Sequence, residues 1–452
     1  MTKKVFDHTN FLFVFISLSV FFILIYNILH YNPILGYDAY AHYEYIDYFA
    51  RYLPRSIKLP SMSDTYEFFN PPLGYVVPSI AQVVCRNIIE SNDFLNDCRP
   101  IYGKVVQIFQ SIMYLATISI NLYTLKLFNN SKSILNTSYL ILVSLLAVNY
   151  RTISMVRGEP YILFFLSLFL LYIYKAEASN FKVSIKMNFI IGLTIGSIAL
   201  SRQWGFLLFL PLIYLLFRTN NKKNYLIFWT FSSLIGALLS SWFYFGLYLK
   251  YGTFTPFNMS SKGFSLLNQN LSFYFPNYEQ LYYFFTKPIR PYLDNQFFSI
   301  LYSDLWGDYW GYFTFTSQWL DVGRNQLLIG DYFARVNIFS LFTSAVIVIF
   351  CILTFKTYNT SLFIRYLKLA ILFSIIGYFA FSITYVTSSG DQIKATYIIQ
   401  VFHLAVFSAS IYFHKLKRIN KKIYDVILSV LVLIYIHNFQ SYLSHFPFNF
   451  LP

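Results

Sequence analysis

The chain has 452 residues, of which 57% are hydrophobic and only 12% charged, and it carries a net charge of +15. A soluble domain has about 25% charged residues, so the composition excludes an ordinary soluble protein and indicates an integral membrane one. The charge alone would admit a nucleic-acid binder, but its placement along the chain argues against that.

Phe11–His30 is the first apolar run, about the 20 residues that a bilayer core requires. Lys3 and Lys4 precede it and no small-residue cleavage pattern follows, so it reads as an anchor. Further apolar runs fall at 104–128, 134–150, 160–175, 187–201, 204–217, 225–249, 336–355, 369–387, 394–413 and 423–442, eleven in all. The expected architecture is an all-α polytopic membrane protein with interfacial helices in its first outer loop. One membrane domain, 1–452, would include outer loops 31–103 and 250–335. With the N-terminus inside, the inner segments hold about half of the basic residues but only Asp7, Glu177 and Asp425 among the acids. That is the positive-inside pattern, and it accounts for the net charge without nucleic acid. The acids gather in the two long outer loops. This suits an enzyme working at the outer membrane face better than a transporter with charges inside its spans.

The first outer loop opens with Gly36-Tyr-Asp38-Ala-Tyr-Ala-His42. On a helix, Asp38 and His42 share one face. His42, Ile46, Phe49, Ala50 and Leu53 extend a mostly apolar face, with Glu44, Asp47 and Arg51 on a polar one. This predicts an amphipathic helix on the membrane surface. Next comes Glu67-Phe-Phe-Asn70-Pro71-Pro72-Leu73-Gly74-Tyr75, whose prolines fix the backbone and push Asn70 out of helical geometry. The run Leu73–Val84 is too short to span and reads as a helix dipping into the interface.

An Asp with a His four residues on, just after the first span, and then a Pro-Pro-Leu-Gly turn resembles the GT-C superfamily of membrane glycosyltransferases. The likeness is to the protein O-mannosyltransferase and lipid A aminoarabinose transferase branch. Asp38-Ala39 stands where that branch has Asp-Glu, and Asn70 where it often has His, so the second acid of the pattern is absent. The resemblance rests on motifs within the first 85 residues and on topology beyond them. It implies a sugar donor on a polyprenyl phosphate, a lipid, glycan or protein acceptor, and inverting transfer with Asp38 as general base. It implies a bacterial inner membrane, or the endoplasmic reticulum in a eukaryote, with the site on the outer or lumenal side. The chemistry agrees, because an acceptor hydroxyl needs a base within reach and a leaving phosphate needs cations. A divalent cation is compatible with this reading and not required by it.

Candidate substrate-binding residues follow along the chain. Arg157 and Glu159 lie at a span mouth, Arg202 at an outer turn, and Asp304 and Asp308 among Trp, Tyr and Gly in the second long loop. Lys394 and Tyr397 open the tenth run, and His42 and Glu44 flank the base in the first loop. Each has an ordinary structural alternative. Asp38 or Glu159 would then cap a helix, His42 would pack on a helix face, and Arg157 would snorkel. Arg202 and Lys394 would be loop and span-end cations, and Asp304 and Asp308 solvated acids in an aromatic belt. Cys85 and Cys98 share the first outer loop, where a disulfide is geometrically open. Rival functions are a flippase for a lipid-linked sugar, an O-antigen-type ligase or polymerase, and a non-catalytic subunit.

Overall fold

The computed structural model describes residues 8–53, 55–89, 98–131, 133–314 and 324–444. In chain order the helices are α1 (His8–His30), α2 (Ala39–Tyr52), α3 (Leu73–Ile89), α4 (Arg99–Phe128), α5 (Thr137–Ser144), α6 (Ala147–Ser154), α7 (Glu159–Ala178) and α8 (Ile185–Ser201). A 3₁₀ turn at Gln203–Leu208 leads to α9 (Leu210–Arg218), α10 (Lys222–Tyr251), α11 (Leu271–Tyr274), α12 (Tyr278–Thr286) and α13 (Phe297–Trp306). The last four are α14 (Arg324–Thr357), α15 (Leu362–Thr384), α16 (Ile399–Ile419) and α17 (Lys421–His437). Among the described residues there is no strand, and the fold is that of an all-helical, multi-pass membrane protein.

Among the described residues, eight helical stretches are long and apolar enough to cross a bilayer. The sequence leads one to expect about eleven apolar runs, and the other three form shorter or broken helices. Ile185–Ser201 and Gln203–Arg218 are apolar but shorter. The run at 134–150 is broken into α5 and α6 at Leu146, whose backbone is extended. Side chains satisfy the carbonyls freed by that break: Asn149 Nδ2 donates to the Val143 carbonyl at 3.0 Å and the Tyr150 hydroxyl to that of Ser144 at 3.0 Å. Every residue of both short helices is buried, so the broken segment sits inside protein rather than in lipid.

The helix ends sort into two groups. At one end short polar turns start helices: Asn136, Ser184, Asn221, Ser361 and Asn420 each cap the next helix through a side-chain oxygen. At the other end lie the segment between α1 and α4 and the helices α11–α13. These pack onto the bundle through Tyr31 to the Tyr312 carbonyl at 2.8 Å, Trp310 to that of Ile393 at 3.1 Å, and Gln269 to that of Ser382 at 2.8 Å.

The surface position expected for α2 is not observed. Ala41, His42, Tyr43, Tyr45, Ile46, Asp47, Phe49 and Ala50 are all buried, so the helix is enclosed on most of its circumference. Asp47, expected on a polar face, accepts from Gln82 at 2.6 Å, Arg99 Nε at 2.8 Å and Tyr102 at 3.0 Å. Its charge is compensated by α3 and α4, which no local pattern in α2 encodes. Cys85 and Cys98 form a disulfide that ties α3 to the start of α4.

Candidate active site

Asp38 lies at the entrance to α2 with φ 54° and ψ 17°, in the left-handed region, and its side chain caps nothing. A non-glycine residue there costs on the order of 1 kcal/mol and needs its surroundings to hold it. The carboxylate turns to Lys394, whose Nζ is 2.8 Å from Oδ2. The Tyr397 hydroxyl is 3.3 Å from the same Nζ and 3.5 Å from the carboxylate. Lys394 is buried, whereas the Asp38 side chain is 38% exposed, so the pair presents its acid to open space. Burial would raise the Asp38 carboxyl, but Lys394 and then Arg157 outweigh it and hold the group well below the usual carboxylate range. Burial likewise opposes the Lys394 charge, and the Asp38 carboxylate more than restores it.

Arg157 and Glu159 flank Gly158 at the start of α7. The Arg157 guanidinium donates to the Tyr37 carbonyl and stands 5.1 Å from the Tyr37 ring centre, while its Nη1 is buried without a hydrogen-bond partner. Glu159 accepts from Arg202 Nη2 at 2.7 Å. Arg202 also donates to Asn70 Oδ1, and its Nε is buried without a partner. Two glycines bring these elements together. A Cβ on Gly74 would stand 2.9 Å from the Gly158 Cα, and one on Gly158 would stand 2.5 Å from the Ser201 carbonyl oxygen. The first turn of α3, the mouth of α7 and the end of α8 therefore meet closer than side chains allow.

Glu67 joins this candidate site, beyond the residues that the sequence singles out. It is buried, accepts from Asn70 Nδ2, and lines a cavity of about 260 Å³ with Asn70, Arg202, Gln203, Trp204 and Tyr397. Burial, reinforced by the nearby Asp38 carboxylate, pushes its carboxyl up to about 7. Its signal in the sequence is an acid three residues before Asn70 in the Pro-Pro turn, but nothing local tells that this acid faces a cavity. The remaining wall is Phe69, Phe206, Phe257, Phe381 and Tyr385. Phe206 is shared with an apolar cavity of about 430 Å³ between α8, α9 and α10.

His42 stays on the inner side of α2. Its Nδ1 is 2.6 Å from the Tyr75 hydroxyl, and its Nε2 is buried without a partner. Burial keeps the imidazole neutral by lowering its pKa well below the ordinary value. Glu44 is half-buried on α2 and has no ion pair among the described residues.

Asp304 and Asp308 are not gathered into the cavity. Both are fully buried around Arg151, at 2.9 and 3.7 Å. Asp304 also accepts from the Ala395 amide at 2.7 Å and the Tyr37 hydroxyl at 3.1 Å, and Asp308 accepts from the Phe313 and Thr314 amides at 2.8 Å. With Arg151 they form a strut behind the Asp38–Lys394 pair, and Asp304 holds Tyr37 and Ala395, the residues next to that pair in the chain. Among the described residues, no three His, Cys, Asp or Glu side chains are grouped to hold a metal ion.

No family model matches this chain, and no curated protein does. Solved structures do. The archaeal oligosaccharyltransferase AglB from Archaeoglobus fulgidus, in complex with an inhibitory peptide and a dolichol-phosphate, is 14% identical with a TM-score of 0.51, and the match covers 98% of this chain and 56% of that one. The chain shares the fold of the part of that structure it covers. The apo oligosaccharyltransferase of the same organism aligns at 16% identity and a TM-score of 0.44, over 98% of this chain and 57% of that one. The chain thus spans just over half the length of the solved structures it matches.

Proposed function

We propose that this protein is a membrane glycosyltransferase. It transfers a sugar from a polyprenyl-phosphate donor to a lipid, glycan or protein acceptor at the outer or lumenal face. The observation that carries this reading is a carboxylate facing open space beside buried cations with unfilled donors: Asp38, Lys394, Arg157 Nη1 and Arg202 Nε. The solved complex that shares the fold holds a dolichol-phosphate, which supports a lipid phosphate as the donor group here.

In this reading the acceptor hydroxyl attacks the anomeric carbon, the bond from that carbon to the phosphate oxygen breaks, and the phosphate leaves with the electron pair. Lys394, Arg157 and Arg202 compensate its charge. Asp38 takes the acceptor proton. Paired with Lys394, its carboxylate is ionised but weakly basic. A donor phosphate that draws Lys394 away frees the carboxylate and raises its basicity, so the donor prepares the base. The apolar cavity adjoining through Phe206 suits the polyprenyl chain, and the aromatic wall with Glu67, Asn70 and Gln203 suits sugar or acceptor hydroxyls. Asp304 positions Tyr37 and Ala395, Asp308 holds the Phe313 and Thr314 amides, and in this reading neither touches substrate.

The test is transfer of radiolabelled sugar from a panel of polyprenyl-phosphate sugars by purified protein. Transfer by the wild type that is lost in a folded Asp38→Asn variant supports enzyme and base together. Equal transfer by both removes Asp38 as base.

A further inference from the structure

The end of the bundle away from Asp38 carries positive charge for which the proposed reaction has no use. Two cavities lie there, about 310 and 360 Å³ in volume, and Arg218 and Arg365 line both. Arg218 is the last residue of α9, Arg365 lies in the first turn of α15, and Lys368 joins them on the wall of the first cavity. Each guanidinium is steadied through Nε, Arg218 by the Tyr214 hydroxyl at 2.9 Å and Arg365 by the Asn359 carbonyl at 2.7 Å. None of the three cations has an ion pair among the described residues. Glu177 lines the second cavity, but its carboxylate already accepts from the Leu362 and Phe363 amides at 2.7 Å and from Ser361 at 3.1 Å, capping α15.

Apolar side chains adjoin these cations. Phe355, Ile364 and Leu369 share the wall of the first cavity, and on α9 Phe217, next to Arg218, is 71% exposed. From Arg365, α15 runs about 24 Å along its axis to Phe381 at the candidate active site, close to the roughly 30 Å of a hydrocarbon core. The cations therefore stand at the depth of the opposite headgroup layer, beside side chains suited to acyl chains.

We propose that these cavities hold the phosphate headgroup of an anionic phospholipid, bound by Arg218, Arg365 and Lys368 on the membrane face opposite Asp38. Guanidinium groups bind phosphate oxygens in pairs, and basic clefts between helices on this side of a membrane are suited to acidic lipids. The apolar rim selects a lipid over a soluble phosphate. The bound lipid would join the end of α9, a helix of nine residues, to the start of α15.

Thermal unfolding of delipidated protein in detergent tests this. The probes are phosphatidylglycerol, phosphatidylcholine with the same acyl chains, and glycerol 3-phosphate. The expected result is a saturable rise in Tm with phosphatidylglycerol only. In Arg218→Gln/Arg365→Gln the apparent affinity should fall roughly tenfold or more, with the lipid-free Tm close to that of the wild type. The single variant Lys368→Gln, at an exposed position, should weaken the same response partly and serves if the double variant folds poorly. An equal rise with phosphatidylcholine, or an undiminished response in the variants, overturns the proposal. A rise of the same size with glycerol 3-phosphate overturns the lipid as the ligand and leaves a soluble phosphate in its place.

Discussion

Asp38 combines a left-handed backbone, an exposed carboxylate and a buried lysine partner. If Lys394 exchanges between this acid and a lipid phosphate, Asp38→Asn has two opposite effects. Transfer should fall by about 10²–10⁴-fold, the usual worth of a general base. Binding of a polyprenyl phosphate should tighten, because Lys394 no longer has a competing anion. Titration of the lipid phosphate into both proteins checks this, and weaker binding by the variant would exclude the exchange. Glu67 makes a different prediction. Its carboxyl stands at about 7 in the folded chain, above the ordinary 4.5. Across that window the native state keeps a proton that the unfolded chain has lost, so stability contributed by Glu67 falls as pH rises from about 4.5 to 7 and then levels. Glu67→Gln should flatten that part of the Tm–pH curve. An unchanged slope would show that Glu67 titrates as an ordinary exposed acid.

Among the elements, the strut from α6 to α13 and the crossing of α3, α7 and α8 set the geometry of the site. Arg151 with Asp304 and Asp308 is a fully buried charge cluster, and taking one partner from such a group costs about 3–5 kcal/mol. Asp304→Ala should therefore lower Tm and the yield of folded protein. A normal Tm with an altered KM for donor or acceptor would instead return Asp304 to the substrate. Gly158→Ala forces a methyl group against the Ser201 carbonyl, where backbone cannot yield cheaply. Overpacking of this kind costs roughly 1–3 kcal/mol. The displaced Arg157 and Arg202 should also weaken lipid-phosphate binding, measurable in the same titration as for Asp38→Asn.

For the whole molecule, the two groups of helix ends define a topology open to direct labelling. Cys351 is buried and Cys85 and Cys98 are joined, so introduced cysteines report cleanly. Met62→Cys and Leu267→Cys replace side chains 57% and 94% exposed at the Asp38 end. Ile185→Cys and Ile419→Cys replace side chains 74% and 60% exposed at the other. An impermeant maleimide applied to intact cells should label the first pair and spare the second. Labelling of one residue from each pair would contradict the sorting of helix ends.

The sequence by itself determined the membrane class and the apolar runs, and it singled out an uneven distribution of charge and the stretch that carries Asp38. These depend on composition, period and order, which the chain carries locally. It also offered Lys394, Tyr397, Arg157, Glu159 and Arg202 as separate candidates, because a charge at the end of an apolar run stands out. Only the tertiary structure decided which of them meet. Lys394 reaches Asp38 across most of the chain's length, Arg202 reaches Glu159 and Asn70 from a different helix, and Asp304 turns inward to Arg151. The burial of α2 and of Asp47 was equally hidden, since its partners Gln82, Arg99 and Tyr102 lie on α3 and α4. The break at Leu146 has no proline or glycine to announce it, and it survives because Asn149 and Tyr150 hydrogen-bond the freed carbonyls inside a protein interior. A charge in a low-dielectric interior is governed by the partners that folding brings to it, and those partners are distant in sequence.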